Sequence, residues 1–170
     1  MREVGWGRAT VTDIERGSEL HALEFQILAR PRYVAARNLA LIGAAMRDAM
    51  VKPDAPAVTM ISGHDTNVAN LGGLLDLHWK VPGLARDDPS PGGALVFERL
   101  VDAKGQRYVR AVYRSQTIEQ IRNLTPLSGK SRPYRAVLAL PGCDALGEKG
   151  LCTLAQFDAL MGERLVPARR

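Results

Sequence analysis

Gly63-His64-Asp65-Thr66-Asn67 sets an imidazole, a carboxylic acid and a hydroxyl on three consecutive residues. Three reaction classes use a His-Asp pair. A metal-dependent phosphohydrolase of the HD type needs another histidine and a distant aspartate in a helical bundle. The only other histidines, His21 and His78, stand in quite different contexts. A Ser-His-Asp hydrolase needs a Gly-x-Ser-x-Gly nucleophile elbow, and the sequence contains none. Phosphoryl transfer asks for the pair at an anion-binding helix end. The structural alternative is that His64 caps or packs and Asp65 serves as an N-cap.

The elements that must carry this pair are legible around it. Residues 58–61, Val-Thr-Met-Ile, form a short run of strand formers between a proline loop and Gly63, which predicts a buried strand. Val68, Leu71, Leu74 and Leu75 recur at helical spacing after it. A glycine-loosened turn therefore joins a strand end to a helix N-terminus, where free N–H groups and the helix dipole collect anions. Upstream, Thr12-Asp13-Ile14-Glu15 has the form of a capping box, and Leu20, Leu23, Ile27 and Leu28 form an amphipathic stripe. Pro31 interrupts it, and residues 34–50 predict a second helix. Downstream, residues 94–100 and 107–115 predict a hairpin around Lys104-Gly105, and 135–140 a further strand. Thr117-Ile118-Glu119-Gln120 and Thr153-Leu154-Ala155-Gln156 predict capped helices, the last with Leu154, Phe157, Leu160 and Met161 on one face. Isolated strands alternating with helices, then a late hairpin, predict an α/β fold with a mixed sheet.

Composition narrows the partners. The 170 residues suffice for one core and are 46% apolar and 24% charged, which excludes a disordered chain. The longest apolar stretches, such as 55–62, are far shorter than the ~20 residues a spanning helix needs, so no membrane association is expected. No apolar signal segment follows Met1. The net charge of +5 is scattered and the aromatic content only 5%, against a nucleic-acid partner. Cys143 and Cys152 enclose two glycines with no further ligand at zinc spacing. Two free thiols and a loop-closing disulfide both remain open on composition.

The run Gly63-His64-Asp65-Thr66-Asn67-Val68-Ala69-Asn70-Leu71-Gly72-Gly73 resembles the carboxy-terminal signature of histidine acid phosphatases, nearest the bacterial periplasmic phytase and glucose-1-phosphatase group. Val4-Gly5-Trp6-Gly7-Arg8, the segment Leu20-His21-Ala22-Leu23-Glu24-Phe25, Pro91-Gly92-Gly93-Ala94-Leu95-Val96-Phe97-Glu98-Arg99 and the stretch 142–152 resemble the same family in the same order. The resemblance covers nearly the whole chain and implies part of a histidine-phosphatase (phosphoglycerate-mutase-like) domain, a mixed sheet with flanking helices.

The family resemblance implies phosphomonoester hydrolysis at acid pH through a phosphohistidine. His64 would hold phosphate oxygens, and Asp65 would protonate the leaving alkoxide. Thr66 would hydrogen-bond the phosphate or substrate. Phe25 would border the pocket, with core packing its equal alternative. A phosphate monoester such as phytate or a sugar phosphate is the implied substrate, with no cofactor and no metal. The resemblance also implies a Cys143–Cys152 disulfide and a periplasmic or secreted protein. The attacking histidine of the family lies in an Arg-His-Gly-x-Arg-x-Pro motif that these residues do not contain. Residues 1–170 are therefore expected to be the carboxy-terminal portion of the domain, inactive alone, with the amino-terminal half as a possible partner. Ala168-Arg169 stands where several relatives have a cysteine bonded to that half. A non-catalytic phosphate- or inositol-phosphate-binding module is the alternative.

Overall fold

The computed structural model describes residues 7–166; Val4-Gly5-Trp6 and Ala168-Arg169 lie outside them. Helix α1 (Val11–Leu28) is capped by Thr10, whose hydroxyl accepts the Asp13 N–H while the Asp13 carboxylate accepts the Thr10 N–H at 2.8 Å. The box therefore opens two residues earlier than Thr12-Asp13-Ile14-Glu15 implied, because Asp13 is the residue that reaches back. The helical period of α1 is as expected, but its face is not. Leu20, Leu23, Ile27 and Leu28 are exposed, and Ala22, Phe25 and Ala29 are buried. The inward face is the one whose small residues allow close approach to the next helices.

Residues 34–50 form two helices rather than one. Helices α2 (Arg32–Asn38) and α3 (Ala40–Val51) meet at Leu39, which leaves helical geometry at φ −101°, ψ 11° and is itself buried. The break lets α2 lay Ala35 and Ala36 against helix α4 (Asp65–Leu74) while α3 turns Met46 and Met50 into the main core.

The expected strand at residues 58–61 does not form. Val58, Met60 and Ile61 are exposed and outside any ladder, and the preceding loop is held where the Arg99 guanidinium donates to the Pro56 carbonyl at 2.8 Å and to the Ala55 carbonyl at 3.4 Å. Strand propensity cannot act without a neighbouring ladder to accept the backbone groups, and no described residue supplies one.

The sheet lies downstream. Strands β1 (Ala94–Val101) and β2 (Arg107–Ser115) form the expected hairpin, in which the Asp102 carboxylate accepts the N–H groups of Lys104 and Gln106. Strand β3 (Tyr134–Leu138) pairs with the far end of β2, and the short β4 (Cys152–Thr153) with its beginning. All these pairings are antiparallel. Helices α5 (Ile118–Arg122) and α6 (Leu154–Arg164) open on the two capping boxes read from the sequence. Phe157 and Met161 of α6 pack on the sheet with Val109, Ala111 and Leu140, and the α3 methionines complete that core. The fold is α/β: an antiparallel sheet with flanking helices.

Cys143 and Cys152 are joined, closing the loop that carries a short 3-10 turn (Ala145–Gly147) and anchoring β4. Replacing both by serine removes a constraint on the unfolded chain worth ~2–3 kcal/mol for so short a loop. Urea unfolding of this variant should show that loss, and the reduced parent should match it.

Glu98 on β1 sits opposite Arg110 and also accepts from Arg135 of β3, at 2.7 and 3.1 Å. Partial burial raises its carboxyl, and the two guanidiniums more than offset this, leaving it below the ordinary carboxylate value of 4.5. A depressed carboxyl stabilises the fold above its unfolded pKa and loses that contribution as pH falls through the folded value. Glu98→Gln should therefore lower the melting temperature at neutral pH, and the two proteins should converge near pH 2.

Candidate active site

The His-Asp pair occupies the N-terminal end of α4. His64 is the N-cap, extended at φ −105°, ψ 171°, and Asp65 opens the first turn; both are exposed. The Asn67 side chain reaches back to accept the His64 N–H at 2.9 Å. That fold-back passes so close to Gly63 that a Cβ there would lie 2.9 Å from Asn67 Oδ1, which accounts for glycine before the cap. Asp65 Oδ1 accepts both the Thr66 N–H, at 2.6 Å, and its hydroxyl, at 3.2 Å. Thr66 thus fixes the carboxylate and leaves Oδ2 available for a proton.

The rest of α4 is clamped from below. Asn70, buried, donates to the Thr66 carbonyl at 2.7 Å and accepts from Asn38 of α2. On the opposite side Arg30, just beyond the end of α1, crosses at Gly72-Gly73, where a side chain on Gly72 would collide with its guanidinium and Trp79 and one on Gly73 with its backbone. The Arg30 guanidinium is buried there, donating to the Leu77 carbonyl at 2.9 Å and lying 5.6 Å from the Trp79 ring. Burial pulls its pKa down, and the charge of Asp87 opposes this. Asp87 is buried too, 3.7 Å from Arg30, and accepts the Trp79 N–H at 3.0 Å with His78 Nδ1 at 2.7 Å.

Phe25 packs between α1 and α4 with Ala29 and Ala69, the last one turn beyond Asp65. Its ring meets the edge of His21, centroids 4.8 Å apart. His21 Nδ1 lies 2.6 Å from Asp88 Oδ1, and burial pushes the Asp88 carboxyl up, His21 opposing and the charge of Asp65 adding to it. The structure therefore gathers His64, Asp65 and Thr66 on one helix end with Phe25 beside it, and adds His21 and Asp88. Sequence reasoning set His21 aside as unrelated to His64. Its only signal was its place in the Leu20-His21 to Phe25 resemblance, and Asp88 gave none. The two cysteines belong to the other cluster, under the sheet. Among the described residues no three metal-ligating side chains converge, and no helix is long and apolar enough to cross a membrane.

Residues 31–114 match the histidine phosphatase superfamily (branch 2), and the chain belongs to it. The chain is 39% identical over 184 residues to phytase AppA of Escherichia coli, 99% of this chain and 41% of that protein, whose carboxy-terminal part it matches. It is 38% identical over 111 residues to glucose-1-phosphatase of Salmonella typhimurium, 63% of this chain and 26% of that one. The phytase structure from Citrobacter braakii superposes with a TM-score of 0.84 at 31% identity, over 98% of this chain and 45% of that one. Hafnia alvei phytase, solved in complex with myo-inositol hexakis sulphate, gives 0.81 at 31%, over 98% and 44%. The chain thus spans less than half the length of these relatives.

Asp87→Ala removes the counter-charge of a buried guanidinium and the acceptor of the Trp79 N–H. It should cost ~3–5 kcal/mol in urea unfolding, whereas Lys52→Ala at an exposed i,i+4 pair should leave the unfolding midpoint nearly unchanged.

Proposed function

We propose that the chain, as the carboxy-terminal portion of a histidine phosphatase domain, supplies the proton donor and part of the phosphate pocket for hydrolysis of phosphate monoesters. The supporting observation is the exposed His64-Asp65 pair at the N-terminus of α4, in a fold that superposes on phytases. A histidine outside these residues attacks phosphorus, and the P–O bond to the alcohol breaks. Asp65, protonated, gives its proton to the departing alkoxide, a service worth ~10²–10⁴-fold for so poor a leaving group. Water then attacks the phosphohistidine, Asp65 takes the water's proton, and inorganic phosphate and free histidine result. His64 and the N–H groups of the first turn of α4 steady the charge on the transferring oxygens. Thr66 orients the Asp65 carboxyl. Phe25 closes one side of the pocket.

The relatives' names and the hexakis sulphate complex of Hafnia alvei phytase support an inositol polyphosphate or sugar phosphate as substrate. The exposed stripe of α1 and the unpaired residues 58–61 are the surfaces that the amino-terminal half would cover. The Cys143–Cys152 bridge suits an oxidising compartment such as the periplasm.

Lacking the Arg-His-Gly-x-Arg-x-Pro motif, the purified chain should show no turnover of p-nitrophenyl phosphate or phytate between about pH 4 and 6. Turnover lost in the His64→Ala, Asp65→Ala double variant would overturn this. Joined to a segment carrying the motif, Asp65→Asn should cost ~10²–10³ in kcat on alkyl phosphates and far less on p-nitrophenyl phosphate, whose leaving group needs no proton. The alternative reading is a non-catalytic phosphate- or inositol-phosphate-binding module. Retained micromolar affinity for phytate, with no activity under any complementation, would select that reading.

A further inference from the structure

The C-terminal end of α4 closes on a residue poorly suited to the place. Leu75 is the C-cap, and Asp76 beyond it stands in the left-handed region at φ 51°. The Leu77 N–H then returns to the Gly72 carbonyl at 2.8 Å. That closure ordinarily takes glycine at the left-handed position, because a Cβ is strained there. Asp76 adds a second cost, a carboxylate at the negative end of the helix dipole.

His78 offsets both. Its Nε2 lies 3.2 Å from Asp76 Oδ1 and its Nδ1 2.7 Å from Asp87 Oδ2. Ionised carboxylates only accept, so the two contacts are hydrogen bonds together only while both ring nitrogens carry hydrogen. The ring as placed is therefore that of an imidazolium. Its side chain is 40% exposed and within reach of solvent protons, against 4% for Asp87 and 69% for Asp76. Three other elements bring charge to it. Arg30, just beyond α1, puts Nη2 3.5 Å from Nδ1, and Arg86 lies 3.7 Å from the Asp87 carboxylate. Asp144 and Lys149, from the loop that the disulfide closes, line one groove with Asp76 and His78.

Loss of a proton leaves the ring one N–H. It stays on Nδ1, since its departure would take a donor from a carboxylate that water hardly reaches. Nε2 then turns a lone pair on the Asp76 carboxylate. Asp76, exposed and strained, is the partner free to move, and the bond from Leu77 to Gly72 goes with it.

We propose that His78 is a proton-operated latch on α4, which locks the helix's C-terminal closure through Asp76 in acid and releases it toward neutral pH. The contact exists only with the ring doubly protonated, so it is present on the acid side and lost as pH rises. The locked helix is the one that carries His64 and Asp65 at its other end.

The test is amide hydrogen exchange of the full chain, read by NMR as protection factors between about pH 5.5 and 8, the interval in which histidine is the side chain that ordinarily changes charge. Protection of the Leu77 N–H should fall about tenfold across it, the scale of one charge-assisted hydrogen bond. The Asp87 N–H, bonded to the Trp79 carbonyl at 2.9 Å on the side that keeps its donor, should hold within about twofold. Asp76→Asn tolerates the left-handed backbone, carries no charge and can donate to a neutral Nε2, so Leu77 should stay protected throughout. His78→Gln should leave Leu77 at the parent's high-pH level at every pH. A Leu77 protection constant within about twofold in the parent overturns the proposal. So does a fall shared equally by Asp87, or one that persists undiminished in Asp76→Asn.

Discussion

The buried pair of Arg30 and Asp87 governs where the helices of this chain can stand. A guanidinium withdrawn from water needs a counter-charge and acceptors, and here they come from one loop: the Asp87 carboxylate and the Leu77 carbonyl. Meeting that demand brings the end of α1 down onto Gly72-Gly73 of α4 and seats Trp79 flat on Tyr113 of the sheet, centroids 4.4 Å apart. Helices and sheet are thus joined through a charged contact whose partners cannot slide without leaving a charge unpaired.

The face that carries His64 and Asp65 inherits its geometry from that joint. With α1 packed on α4, Phe25 meets Ala69 of α4 and His21 stands against Phe25, while Asp88 follows Asp87 in the same loop. His64, Asp65 and Thr66 remain exposed on a hydrogen-bonded base. Their backbone supports, Asn67 at the cap and Asn70 one turn below, are hydrogen-bonded within the helix or to α2. Rigidity below and exposure above is the arrangement that the proton-donor role proposed for Asp65 requires, since its position must be held without its carboxyl being closed off.

Local signals in the sequence were reliable where the physics is local. The Thr117-Gln120 and Thr153-Gln156 boxes and the Lys104-Gly105 hairpin form because each is completed within a few residues. Residues 58–61 carry strand chemistry that a ladder elsewhere must complete, so their pattern could not reveal their state. The α1 stripe shows the same limit: period fixes that a helix has an apolar side, but packing fixes which side is covered, and here Ala22, Phe25 and Ala29 win over the leucines. The break at Leu39 answers to the separate demands of α4 and the main core. Of the candidate site, His64, Asp65 and Thr66 were legible because they are contiguous. Asp88 lies 67 residues from His21, and no spacing rule links them.

The Cys143–Cys152 bridge has a bearing on how the molecule withstands peptidases. Lys149 is exposed inside the ring that the disulfide closes, with Gly150 beside it. A trypsin-like cut after Lys149 would sever the backbone while β4 and α6 stayed tethered to the remainder by sulfur. Such nicked molecules would migrate as one species until a reductant separated the pieces.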